Sequence, residues 1–211
     1  MSEEAVDEAI KTFDLKPRNA SLPDISGAGL PGLTTTGACQ TRFVRLAGSH
    51  GFTPELESQV IDTHGVDADV AHHLATNYGD RAWAVLSSGP NATTRLLPRH
   101  PFVEAEILYG IRSEAACTAV DVISRRTRLS FLDVNGALAA LPRVIDLMAG
   151  ELSWDKARKE QEWTDAVRFL GSMGLEKNKM VAGSEEVIKV ETEDVERGAG
   201  GIAPISPKDA M

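Results

Sequence analysis

From Val134 to Leu152 the apolar residues Val134, Leu138, Leu141, Ile145, Met148 and Leu152 recur at steps of four and three. Such steps return a side chain to one side of a 3.6-residue helix, whereas a half-buried strand alternates every second residue. The stretch therefore predicts a long helix with a two-per-heptad seam packed on neighbouring helices. Asp133 stands where an N-cap acceptor belongs. Pro142 predicts a kink or a restart, because proline has no N–H and its ring crowds the carbonyl four residues back. Aromatic residues are only 5% of the chain, so a core must rest on Leu, Val, Ile and Ala, which favours helices over a β-sandwich.

Similar signals recur along the chain. Residues 3–14 predict a short helix with Ala5, Val6, Ala9, Ile10 and Phe13 on one face and Ser2 as its cap. Residues 16–40, with three prolines and four glycines, predict a flexible linker, and Gln40 to Leu46 a short extended piece. Thr53-Pro54 predicts a helix start, with Leu56, Val60 and Ile61 inward and Gly65 as the stop. Asp67 predicts the next cap, with Val70 and Leu74 inward, and Asp80 a third, ahead of Trp83, Ala84 and Leu86. Ser87 to Pro101 reads as a loop. Phe102 to Arg126 reads as a helical stretch with Ile107, Ile111, Ala115 and Val122 near one face, divided around Gly110 and Ser113, with Ser113 capping its second half. Ser153 is the expected cap of a last helix, Trp154 to Ser172, whose inner face is Trp163, Val167, Leu170 and Met173 and whose end is Gly174. The fold expected is all-α, a compact bundle of six or seven helices with a flexible loop near the N-terminus and a disordered C-terminal tail. Residues 1–40 form a short helix plus linker, 41–177 the helical domain, and 178–211 the tail.

The net charge of −9 argues against nucleic-acid binding, which usually shows a clustered basic face. Cys39 and Cys117 match no metal or redox spacing and read as reduced thiols. The longest apolar stretches fall well short of the roughly 18–20 residues that span a bilayer. The acidic N-terminus resembles neither a signal peptide nor an Arg-rich transit peptide. Dinucleotide, P-loop and nucleophile-elbow motifs are missing, and Gly27-Ala-Gly29 lies in a proline-rich loop without the strand and helix that a dinucleotide turn requires. His64, His72 and His73 invite a metal reading, but adjacent helical side chains diverge by about 100° and nothing at ligand spacing completes a site. Asn19 and Asn91 head chance sequons.

Asp121-Val-Ile-Ser-Arg-Arg-Thr-Arg-Leu129 is the most distinctive segment. Asp121 and Arg125 are four apart and face each other on a helix, acid toward its N-terminus. Arg126 points elsewhere and needs another partner. Two readings stand: a salt-bridged helix end that fixes one helix on another, or an anion site in which Arg125, Arg126 and Arg128 hold a phosphate.

The stretch from Pro101 to Leu129, its continuation Ser130-Phe-Leu-Asp-Val-Asn-Gly-Ala-Leu-Ala-Ala-Leu-Pro-Arg-Val-Ile-Asp-Leu-Met-Ala, and Glu151-Leu-Ser-Trp-Asp-Lys resemble the mitochondrial FAD-dependent glycerol-3-phosphate dehydrogenases. Leu46-Ala-Gly-Ser-His-Gly, His73-Leu-Ala-Thr-Asn-Tyr-Gly-Asp-Arg-Ala and Glu3-Glu-Ala-Val-Asp-Glu-Ala-Ile match in the same order, so the resemblance covers residues 1–175. In that family the segment Asp121, Arg125, Arg126, Thr127 belongs to the C-terminal helical domain, where it implies a structural signature. The family oxidises sn-glycerol 3-phosphate to dihydroxyacetone phosphate, passing hydride to FAD and electrons to quinone at the mitochondrial inner membrane. Its flavin motif and its substrate residues lie upstream of the matched part. The resemblance thus implies no catalytic, cofactor-binding or metal residue here, a flavin domain of the same enzyme as partner, and an inactive chain when alone. It also implies that Met1 is internal to a longer sequence. Some family members carry EF-hands; this chain has no such loop, so no calcium site is expected. The alternative to this reading is a free-standing helical interaction module that uses its apolar seams.

Overall fold

The structure, a computed structural model, describes residues 2–16 and 45–180. The linker, the Gly27-Ala-Gly29 run, most of the extended piece and nearly all of the C-terminal tail lie outside those residues. The described residues are helical as expected, with one isolated antiparallel bridge between Arg95 and Val103. Among the described residues are eight α-helices: α1 (Ser2–Thr12), α2 (Leu56–His64), α3 (Ala68–Tyr78), α4 (Ala82–Leu86), α5 (Glu104–Glu114), α6 (Leu129–Leu132), α7 (Val134–Leu152) and α8 (Lys156–Ser172). A 3-10 turn, Gly79–Arg81, and a π-helix, Asp121–Arg126, complete them. Helix α4 falls where the third short helix was expected, whereas the four-residue α6 is too short for periodicity to register. The chain divides into two compact units, residues 1–84 and 85–211.

In the first unit, α2 begins at Leu56, after a Thr53–Glu55 turn in which the Leu56 N–H donates to the Thr53 carbonyl at 3.1 Å. Gly65 ends it at φ 63° and donates to the Ile61 carbonyl at 2.8 Å, a conformation that costs glycine least. Val70 and Leu74 of α3 are buried as expected. Asp80 is a correction. It lies inside the 3-10 turn, and its carboxylate accepts from the Gly51 N–H at 2.7 Å. An acid ahead of an apolar run signals a cap, but here a loop 29 residues upstream claims the oxygen. The buried residues after it are Ala82, Val85 and Leu86, the last as expected, whereas Ala84 is exposed. Helix α1 forms, but it buries no residue, and Val6 and Phe13 are exposed.

In the second unit, α7 runs unbroken through Pro142 from the Asp133 cap, whose Oδ1 accepts from the Gly136 N–H at 2.8 Å. Leu138, Leu141, Ile145 and Met148 are buried as the seam requires, and Ala137, Ala140 and Val144 are buried beside them. The helix is therefore packed over a wider stripe than two per heptad, while Leu152 at its end is exposed. Two breaks differ from expectation. The Phe102–Arg126 stretch divides at Ala115, in the left-handed region at φ 55°, and not at Gly110 or Ser113. Ser153 does not cap α8; it closes α7 at φ 55°, and Asp155 caps α8 by accepting from the Arg158 N–H at 2.8 Å. The hydroxyl gave the same signal as the carboxylate two positions on, and the chain needed both residues for one turn. Val167 and Leu170 of α8 are buried with Ala166 and Glu162, whereas Trp163 and Met173 are only half-buried.

Candidate functional site

The Asp121 segment starts where α5 stops. Ala115 turns the chain, and the Ala116 N–H reaches back six positions to the Gly110 carbonyl at 2.9 Å, which closes the helix end. The next helical segment then begins with three backbone donors aimed at two carboxylates. Asp121 Oδ2 accepts from the Cys117 and Thr118 N–H groups at 3.1 and 3.0 Å, and Glu162 Oε2 of α8 accepts from the Ala119 N–H at 2.8 Å. Negative charge at a helix start satisfies free donors and suits the dipole. Burial alone would raise the Asp121 carboxyl. Contacts with the Thr118 side chain, the two backbone N–H groups and Arg125 outweigh it and hold the carboxyl below its ordinary value.

The expected Asp121–Arg125 ion pair is present. The partner that Arg126 needed is Glu114 of α5, at 2.7 Å, and the stem of Arg126 lies along Gly110. The backbone here is π-helical, which the sequence did not suggest. The extra residue lets both the N–H and the hydroxyl of buried Thr127 donate to the Val122 carbonyl, at 2.9 and 3.0 Å. All four signature residues thus have partners within the segment or on α5.

Six further charged residues, unmarked in the sequence, tie the helices around this segment. Arg143 of α7 makes a two-pronged pair with buried Glu104 of α5, at 2.6 and 2.7 Å. Arg158 of α8 pairs with Glu162 at 2.6 Å and lies over the Trp154 ring at 5.4 Å. Arg112 and Glu151 form another two-pronged pair between α5 and α7, both bonds 2.8 Å. That hydrogen bonding raises Arg112 and lowers Glu151 from their ordinary values. A signal for Glu162 did exist: it stands at steps of four before Ala166 and Leu170, an acid on an apolar stripe. Its Ala119 partner was invisible because it lies 43 residues away in sequence.

The histidines go separate ways. His64 lies 5.7 Å from the Trp83 ring, His72 bonds Glu57 at 3.0 Å, and His73 bonds Asn77 at 3.0 Å. Among the described residues no cluster of three or more His, Cys, Asp or Glu side chains could hold a metal. Cys117 is an exposed free thiol. No described helix is long and apolar enough to cross a membrane.

The two earlier matching stretches meet in the first unit. The Asp80 N–H donates to the Gly48 carbonyl at 2.8 Å, while Gly51 donates to Asp80. Gly48 and Gly79 both have positive φ, and a Cβ on either would collide with the backbone of the other stretch. The backbones can approach this closely only where both residues are glycine.

A flavin would need a strand feeding a helix through a glycine-rich turn. Among the described residues no strand does so, and the positive-φ glycines face another stretch of backbone or close helices. The residues described do not fit a flavin cradle.

The fold and site define an all-helical domain whose charged residues clamp its helices together. The family described as the C-terminal domain of alpha-glycerophosphate oxidase matches residues 39–159, more than half of the chain, and the chain belongs to that family. It is 37% identical over 205 residues to a mitochondrial glycerol-3-phosphate dehydrogenase of Mesocricetus auratus, covering 93% of this chain and 25% of the relative. A probable mitochondrial glycerol-3-phosphate dehydrogenase of Dictyostelium discoideum is 40% identical over 141 residues, 66% of this chain and 22% of the relative. A mitochondrial glycerol-3-phosphate dehydrogenase of Arabidopsis thaliana is 36% identical over 194 residues, 84% of this chain and 28% of the relative. The chain spans about a quarter of the length of the curated relatives it matches. No solved structure matches it.

Proposed function

We infer that this chain is the C-terminal helical portion of an FAD-dependent glycerol-3-phosphate dehydrogenase, acting with the flavin-binding portion of the same enzyme. The complete enzyme oxidises sn-glycerol 3-phosphate to dihydroxyacetone phosphate and delivers the electrons to quinone at the mitochondrial inner membrane. The family match across residues 39–159 carries this reading. Within the enzyme, residues 41–177 form the domain, residues 1–40 lead into it, and residues 178–211 follow it as a tail. Asp121, Arg125, Arg126 and Thr127 are scaffold: their charges and hydroxyl are engaged inside the domain. The chain contributes no catalytic, flavin-binding or metal residue and is inactive alone. The test is the visible spectrum and glycerol-3-phosphate-dependent dye reduction of two proteins. One is the 211-residue chain alone. The other is the Mesocricetus auratus enzyme carrying this chain in place of its own matching quarter. Flavin absorbance and dye reduction in the graft only support the reading; an inactive graft that retains flavin counts against it.

A further inference from the structure

Downstream of the ion-paired segment, Arg128 turns the chain at φ 56°. Helix α6 then buries Leu129 and Ser130 and leaves Phe131 and Leu132 63% and 67% exposed. A single exposed Leu is ordinary, but two adjacent large apolar side chains standing clear of the surface mark a contact site. The knuckle that bears them is held at both ends. The Phe131 N–H donates to the Arg128 carbonyl at 3.0 Å, the Asp133 N–H to the Leu129 carbonyl at 2.8 Å, and Asp133 then caps α7. A left-handed arginine persists only where its surroundings over-determine it, and the engaged Thr127 and Asp133 on either side do so. Little conformational freedom would be lost when the pair is covered, as an interface anchor requires.

The flanks carry two exposed arginines and one acid although the chain is acidic overall. Arg128 is exposed beside the pair, and exposed Arg99 acts on the Asp133 carboxylate that follows the pair. The complementary surface is an apolar socket edged with carboxylates. The relatives say where one would be found. The chain spans a quarter of their length, so in each relative the matching residues share a polypeptide with about three quarters more.

We propose that the Phe131–Leu132 knuckle is the seat on which the upstream, flavin-binding portion of the same enzyme docks, through an apolar socket rimmed by carboxylates. This rests on the function inferred above, and the two are separable by experiment. Amide exchange is measured over residues 129–134 in the isolated 211-residue chain and in the Mesocricetus auratus graft. Exchange about tenfold slower in the graft is expected. Phe131→Asp with Leu132→Asp should leave the melting temperature of the isolated chain within about 2 °C, because both side chains are exposed. The same pair in the graft should reduce dye reduction about tenfold or more, as loss of interface anchors does. Slow exchange in an inactive graft keeps the docking proposal and sinks the assigned activity. Equal exchange in an active graft sinks the docking proposal and keeps the activity. If the graft variant fails to fold, the exchange of the unsubstituted graft decides. Two other outcomes overturn the proposal: a dimer of the isolated chain by light scattering that the double variant dissolves, which assigns the face to a second copy, or binding to cardiolipin-containing vesicles that the variant abolishes.

Discussion

The Gly48–Asp80 junction in the first unit and the Cys117–Leu129 segment in the second both match the family, yet they are held by different physics. The first is a backbone lock. Two glycines with positive φ let one chain lie against another, and N–H to carbonyl and carboxylate bonds hold it there. The second is a charge lock, in which two carboxylates receive three backbone donors and the arginines close onto Asp121 and Glu114. A backbone lock tolerates no added atom. A charge lock is graded, because each bond is worth what its burial makes it worth. The two should therefore fail differently.

The largest effect is expected at Gly79. Gly79→Ala forces a Cβ into the Gly48 carbonyl at φ 57° and ψ −135°, and should destabilise the first unit by about 3 kcal/mol or more. Denaturant unfolding monitored at Trp83, which lies in that unit, reads it. A variant as stable as the parent would show that the two stretches do not press together. Next is Glu162→Ala, which strands the Ala119 N–H and the Arg158 guanidinium; with Arg158 half-exposed, about 2 kcal/mol is expected. Glu162→Gln should recover part of that, since an amide oxygen can still accept from Ala119. Asp133→Ala removes the α7 cap and should cost about 1 kcal/mol in denaturant unfolding monitored at Trp154 and Trp163, which lie in the second unit.

These predictions also mark what the sequence could show. The Asp133 cap and the buried positions of α7 were legible because their signals are local: an acceptor before an apolar period, and the period itself. The Asp121–Arg125 pair was legible from its spacing of four. Glu162 and Glu104 were not, because what makes them structural is a backbone donor or an arginine 43 or 39 residues away. Asp80 misled for the same reason: its local signal was a cap, and its partner is 29 residues back. The left-handed turns at Ala115, Arg128 and Ser153 had no glycine to announce them. At such residues the local preference opposes the observed conformation, and packing of the neighbouring helices overrides it.

A smaller effect should separate the two locks by pH. Asp121 and Asp133 both titrate below their ordinary range in the folded chain. Burial acts to raise them, but hydrogen bonds outweigh it, those on Asp133 coming from Gly136 and His100. A depressed folded pKa contributes stability that is fully present above the unfolded value, near 4 for Asp. It is lost as pH falls through the folded value. Unfolding of the second unit should therefore become easier below about pH 4, and Asp121→Asn with Asp133→Asn should flatten that slope. An unchanged slope would show that neither carboxylate is held by the hydrogen bonds assigned to it. The smallest effect belongs to Arg125→Ala. Its guanidinium is largely exposed, so the loss should stay below about 0.5 kcal/mol and shrink further in high salt.

As the proposed structural part of a flavin dehydrogenase, the chain should neither hold flavin nor turn over substrate by itself. The most direct measurement is the visible spectrum and glycerol-3-phosphate-dependent dye reduction of the purified 211-residue chain, beside the graft in which it replaces the matching quarter of the Mesocricetus auratus enzyme. No flavin band and no dye reduction are expected from the chain alone, and both from the graft. A stoichiometric flavin band, or substrate-dependent dye reduction, from the chain alone would overturn that role.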